Sequence, residues 1–255
     1  MGRMLVQAVQ ATEGLCCLQA ASEHASSPWI GQDAGDVAGI GRLGVPIVAD
    51  PGQLFAAERV IIDFTRPEVT LSLLDRAVAS ASPLVIGTTG FDAAGRRSIE
   101  EAAGRLPIVL APNFSVGVNL LMRVAAEVAQ VLEASYDIEI LEAHHRHKID
   151  APSGTALGLG QAIAQAIGRN LEEVAVYGRQ GVTGQRDPRT IGFATVRGGD
   201  IVGDHTVLFA GEGERLELTH RASSRMTFAK GAVRAAVWLS GRSPGLYDMG
   251  DVLGF

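Results

Sequence analysis

The chain has 255 residues, 47% of them hydrophobic and 20% charged, with a net charge of −6. That length supports one large core or two modest ones. No apolar run reaches the ~20 positions of a membrane span, and the acidic balance argues against a general nucleic-acid binder. The two cysteines, Cys16 and Cys17, are adjacent and supply neither a disulfide framework nor a four-ligand zinc site. No charged-then-apolar export signal opens the chain, so a cytoplasmic protein with no membrane or nucleic-acid partner is expected.

In chain order, a helical pattern occupies residues 3–12 and a strand is predicted at 15–20. Short apolar runs at 59–64, 83–88 and 107–111 read as parallel strands buried on both faces. Helices are predicted between them at 67–80, where Pro67 suits a first helical position, and at 92–104. This alternation predicts an α/β fold with a doubly wound parallel sheet. From 115 to 133 an amphipathic helix is expected, with Leu121, Val124, Ala125, Val128, Val131 and Leu132 at helical spacing. Alternating patterns follow, Ile138 and Ile140 about Glu139, then Leu216, Leu218 and His220 about Glu217 and Thr219. They predict half-buried strands in an open mixed sheet, and so a second, α+β domain. A last helix at 226–239 is expected to return to the first domain and cover its sheet.

The densest chemical signal is Glu142-Ala143-His144-His145-Arg146-His147-Lys148, followed by Ile149-Asp150-Ala151-Pro152-Ser153-Gly154-Thr155. Three of the six histidines fall here beside two further cations, in an acidic protein. Such a concentration points to an anion site. Ser153-Gly154-Thr155 then leads into a helical pattern at 156–167, whose free amides add to that site. Together they suit a small molecule carrying two carboxylates, and a histidine and a lysine can deliver its proton near neutral pH. A metal centre is the rival reading, but Arg146 and Lys148 would repel a cation, so no metal is expected. A solvated charged loop is the plainest alternative.

Residues 87–91 and 111–115 follow predicted strands at the edge where open α/β sheets bind ligands, which makes both loops candidate cofactor contacts. Glu23 ends the predicted strand at 15–20, where a carboxylate binds the ribose hydroxyls of a dinucleotide; a solvated loop acid is the alternative.

These blocks, with 62–67, 113–119, 190–194, 199–203 and 221–228, closely resemble the 4-hydroxy-tetrahydrodipicolinate reductase (dihydrodipicolinate reductase) family along essentially the whole chain. The resemblance implies a Rossmann-like domain at 1–115 completed by 226–255, and a substrate-binding and oligomerisation domain at 116–225. It implies a reduction by NADH or NADPH in diaminopimelate and lysine biosynthesis, acting on a cyclic dicarboxylate, in a homotetramer. By the same resemblance His144 and Lys148 are catalytic, and His145, Gly154 and Thr155 bind substrate. Glu23, His24, Gly87, Thr88, Thr89, Ala111, Pro112, Asn113 and Phe114 line the cofactor. His24 stands where the family often has Arg, so a weaker preference for the 2′-phosphorylated cofactor is expected. The family opens with a strand and a Gly-rich turn, and Met1-Gly2-Arg3 looks like the tail of that turn. A start assigned too far downstream or a real truncation would each account for this. The competing functions are a silent subunit that binds the dicarboxylate without productive cofactor binding, and another dehydrogenase acting on an amino or hydroxy acid.

Overall fold

The computed structural model describes residues 1–132 and 135–255, and divides into two units, Met1–Val116 with Arg225–Phe255, and Gly117–Ser224. The first unit contains α1 (Gly2–Gln10), β1 (Ala21–Ser22), α2 (Ala34–Ala38), β2 (Ile47–Val48), a 3-10 turn (Pro51–Leu54), β3 (Ile61–Asp63), α3 (Pro67–Ser80), β4 (Leu84–Ile86), α4 (Ala93–Ala103) and β5 (Pro107–Leu110). Then come α5 (Val116–Leu132), β6 (Asp137–His144), α6 (Gly154–Ala166), α7 (Leu171–Val174), β7 (Ala175–Tyr177), β8 (Ile191–Arg197), β9 (Gly203–Ala210) and β10 (Arg215–Ala222), which build the second unit. The chain returns to the first with α8 (Met226–Leu239), β11 (Gly245–Tyr247) and α9 (Met249–Leu253). The position 133 at which the helix from 115 was expected to end lies outside the described residues.

In the first unit a four-stranded sheet has the order β11-β5-β4-β3, all parallel. Successive strand residues point to opposite faces, and both faces are covered. Leu84, Ile86 and Ile108 pack with Leu74, Ala77, Ile99 and Ala102 of α3 and α4. Val85 and Val109 pack with Ala232, Ala235 and Leu239 of α8 and with Met249 and Val252 of α9. This is the doubly wound arrangement, and α8 covers the sheet as expected. The strand predicted at 15–20 is corrected: residues 16–20 belong to no helix or strand, and β1 begins at Ala21. Its partner β2 offers only two residues, Ile47 and Val48, so the ladder can be no longer than that.

In the second unit the five-stranded mixed sheet has the order β10-β9-β6-β8-β7. β6 runs parallel to β8 and antiparallel to β9. Its inward face carries Ile138, Ile140, Glu142 and His144 in turn, apolar at one end and polar at the other. The apolar end packs with Leu121, Ala125 and Ala129 of α5 and with Leu159 and Ile163 of α6. β10 is the strand expected around 216–220 and keeps its alternation, but its inward face is covered less than expected: Leu216 is 39% exposed and Leu218 only partly buried. An edge strand paired on one side alone, with β9, leaves its apolar residues half covered.

Candidate active site

The polar end of β6 makes a closed network. Glu142 is buried, and its Oε2 lies 2.6 Å from His144 Nδ1. Arg197 of β8 donates to both of its oxygens, each at 2.8 Å. The backbone amide of Ser153 donates to Oε1 at 3.0 Å, and Thr195 Oγ1 lies 3.3 Å from the same oxygen. Ser153 caps α6, its Oγ accepting from the Ala156 amide, and the same Oγ lies 3.1 Å from Nε2 of His205 on β9. Residues i and i+2 of a strand share a face, which is why the spacing Glu142-x-His144 brings carboxylate and imidazole together.

Burial alone would push the Glu142 carboxyl up, but the hydrogen bonds from Arg197, His144 and the Ser153 amide outweigh it and hold it at about 2. Glu142 is therefore ionised at neutral pH and accepts the Nδ1–H of His144. This fixes the tautomer and leaves Nε2 as the nitrogen that takes up or gives a proton. Burial draws His144 below the usual imidazole value; Glu142 opposes this, and the Lys148 and Arg197 charges reinforce it. A weakly basic imidazole gives up its proton readily, as a general acid must.

The residues after His144 leave the strand and turn. The amides of His145 and Arg146 donate to the carbonyls of Ile201 and Gly199. The Lys148 ammonium reaches both oxygens of Asp150 at 2.8 Å. The Asp150 carboxyl lies below the usual carboxylate value, since Lys148 and backbone amides including that of Gly154 outweigh its partial burial. The His145 and His147 rings are 6.2 Å apart. Gly154 faces open space, where a Cβ would meet nothing within 4 Å, and Thr155 follows it in the first turn of α6. His144, His145, Lys148, Gly154 and Thr155 thus fall within one strand end and one helix start of the second unit. Among the described residues no group of three or more His, Cys, Asp or Glu could hold a metal ion.

The remaining candidates lie in the first unit, on the carboxyl edges of its parallel strands. After β4, the Gly87 amide donates to the Asp63 carbonyl, and a Cβ at Gly87 would overlap the ring of Phe64. Buried Thr88 is held by Thr70, whose Oγ1 lies 3.1 Å from the Thr88 hydroxyl and 2.7 Å from Asp63 Oδ2. Thr89 is exposed. After β5, buried Ala111 and Phe114 flank exposed Pro112 and half-buried Asn113, whose Oδ1 accepts from the Ser115 amide. The Phe64 and Phe114 rings lie 5.5 Å apart and join the two loops. Glu23 and His24 lie just past β1, with the Glu23 carboxylate accepting from the His24 amide and His24 Nδ1 2.8 Å from Ser26 Oγ.

These features fit a dinucleotide. Small and hydroxyl side chains line two adjacent strand ends, and a carboxylate sits past a third strand. Among the described residues no side chain caps the amino end of α1 and competes for its amides.

Sequence reasoning did not assign Glu142, Arg197 or His205. Glu142 could have been found from its i, i+2 spacing to His144 on a predicted strand. Arg197 and His205 come from β8 and β9, distant in sequence and joined to β6 only by the sheet register.

The profile of the dihydrodipicolinate reductase N-terminus matches residues 1–114, and that of its C-terminus matches 117–253. A protein of Magnetococcus marinus named 4-hydroxy-tetrahydrodipicolinate reductase is 64% identical over 255 residues, covering 100% of this chain and 95% of the relative. One of the same name from Thiobacillus denitrificans is 63% identical over 254 residues, covering 100% and 94%. Among solved structures, the dipicolinate-bound dihydrodipicolinate reductase of Paenisporosarcina sp. TG-14 superposes with a TM-score of 0.73 at 25% identity, covering 97% of this chain and 92% of that one.

Proposed function

The chain belongs to the dihydrodipicolinate reductase family, a family of oxidoreductases, and on that footing we propose that it reduces 4-hydroxy-tetrahydrodipicolinate to tetrahydrodipicolinate with NADH or NADPH. The reaction consumes one hydride and one proton and releases the 4-hydroxyl as water. The observation that carries the reading is the Glu142–His144 pair, 2.6 Å apart, at the strand end that leads into Lys148 and the start of α6. A reduced nicotinamide, when bound, supplies the hydride. Gly87, Thr88, Thr89 and residues 111–114 would hold its nicotinamide end, and Glu23 and His24 its adenosine ribose.

The chain's own residues account for the rest. Lys148, His145 and the amides at Gly154 and Thr155 would take the two carboxylates of the ring, the amides as donors at a helix amino end. Lys148 then exchanges its bond to Asp150 for one to the substrate, and His144, oriented by ionised Glu142, delivers its proton from Nε2. The dipicolinate bound to the Paenisporosarcina relative supports a dicarboxylate ligand for this site.

We also propose a homotetramer, acting in the cytoplasm. Its support is the face of the five-stranded sheet that carries Leu141 and Val196, 41% and 56% exposed. Among the described residues no helix is long and apolar enough to cross a membrane.

The test is oxidation of NADH and of NADPH by the protein on addition of enzymatically generated 4-hydroxy-tetrahydrodipicolinate. Turnover with at least one cofactor is expected; none with either overturns the proposal. Calorimetry that finds dicarboxylate binding without nicotinamide binding would favour a silent binding subunit instead.

A further inference from the structure

His205 is buried and takes no part in the mechanism above, at 3% exposure. It lies opposite Glu142 in the β6–β9 ladder and opposite His220 in the β9–β10 ladder. The residues that follow it on the same face, Val207 and Phe209, are fully buried and apolar, so an aliphatic side chain would be the inexpensive choice here. Instead the position holds an imidazole whose buried Nδ1 has no hydrogen-bond partner among the described residues. Its ring stands edge-on to His144, with centroids 5.1 Å apart and planes at 73°. Its Nε2 is tied to Ser153 Oγ at 3.1 Å. The hydroxyl that caps α6 with the Ala156 amide therefore also holds the His205 ring, in a hydrogen bond whose direction follows the imidazole tautomer.

We propose that His205 is a positioning residue, a wedge anchored on the α6 cap that holds the His144 imidazole in its Glu142-bound orientation. Three supports then define the proton donor. Glu142 holds its Nδ1, His205 bounds the ring, and Gly203 leaves room behind Nε2, since a Cβ at that glycine would stand 3.0 Å from the nitrogen. The wedge also stays uncharged. Burial, together with the charges of His144, His220 and Lys148, draws its pKa down to about 4, against the opposing pull of Glu142. A neutral neighbour places no fixed charge against the proton that His144 Nε2 takes up and gives. The proposal rests on the reading of His144 as the proton donor.

The test pairs steady-state kinetics with proton NMR of the free protein at neutral pH, where an Nδ1–H held by a carboxylate gives a far-downfield resonance. In His205→Ala the resonance is expected to broaden or vanish, and kcat to fall by roughly tenfold to a hundredfold with KM within about twofold, as misplacement of a reacting group predicts. His205→Gln, whose amide can still reach Ser153, is expected to restore the resonance and most of kcat. If His205→Ala fails to fold, His205→Gln and His205→Leu decide: the first sharp and active, the second broadened and slow. A resonance and kcat unchanged in His205→Ala or His205→Leu would overturn the proposal. Wild-type turnover in His144→Gln would instead sink the reading of the reaction, while the NMR signal still reports what His205 does to His144.

Discussion

Arg197 on β8 grips both oxygens of Glu142 on the neighbouring strand β6, at 2.8 Å each. This two-pronged pairing neutralises a carboxylate that would otherwise be costly to bury, and still leaves Oε2 to meet His144 at 2.6 Å. The ion pair thus sets both the charge and the direction of the imidazole.

Glu142→Gln keeps the shape and removes the charge. The amide has one acceptor oxygen where the carboxylate has two, so it cannot accept from both His144 Nδ1–H and the Ser153 amide as Oε2 and Oε1 do, and Arg197 loses its ionic partner. A kcat loss of about 100-fold is expected from the misoriented donor, with a stability loss of roughly 3 kcal/mol from the broken buried pair. Steady-state kinetics and urea unfolding at pH 7 check the two effects.

Acid should destabilise the second unit in two overlapping windows. The Glu142 carboxyl is depressed from 4.5 to about 2 in the folded chain, so its contribution is present above pH 4.5 and is lost as pH falls through 2. His205 is depressed from 6.5 to about 4, so the unfolded chain binds its proton first and stability declines as pH falls from 6.5 to 4. Urea midpoints measured between pH 7 and pH 3 should fall steadily, and His205→Gln should flatten the upper part of that decline.

Gly231 of α8 lies against the loop after β5: a Cβ there would overlap the Phe114 carbonyl oxygen, which is backbone and cannot swing aside. Gly231→Ala should therefore push α8 and the loop apart, costing roughly 1–3 kcal/mol and weakening nicotinamide binding. Thermal melting and fluorescence titration with NADH measure both.

His24→Arg should raise the preference for NADPH over NADH. The exposed position leaves room for a guanidinium, which can pair a 2′-phosphate through two hydrogen bonds where imidazole offers one. A shift in the ratio of kcat/KM values on the order of tenfold is expected, the equivalent of one good contact.

Much of this architecture was legible in the sequence because burial on both faces leaves continuous apolar runs. Residues 83–88 and 107–111 carried β4 and β5 in this way, and Pro67 marked the start of α3. Where a strand's inward face turns polar, the signal failed. β9 reads Gly203, His205, Val207 and Phe209 on its buried side, so a histidine interrupts the pattern that would have disclosed it. β1 was misplaced because apolar content at 15–20 does not make a strand without a partner of equal length. The cationic block announced His144 and Lys148 by local density. Arg197 reaches Glu142 across 55 residues of sequence, and only the sheet register joins them.

The part the cationic block plays in turnover is best probed by comparing turnover and ligand binding in Lys148→Ala. Lys148 pairs with exposed Asp150 in the free chain, so its removal should leave the melting temperature nearly unchanged. The kcat for 4-hydroxy-tetrahydrodipicolinate is expected to fall about 100-fold below wild type as the ring loses its hold beside His144, with NADH binding intact by fluorescence. A variant that turns over at the wild-type rate would refute the role given to this lysine and to the site built around it.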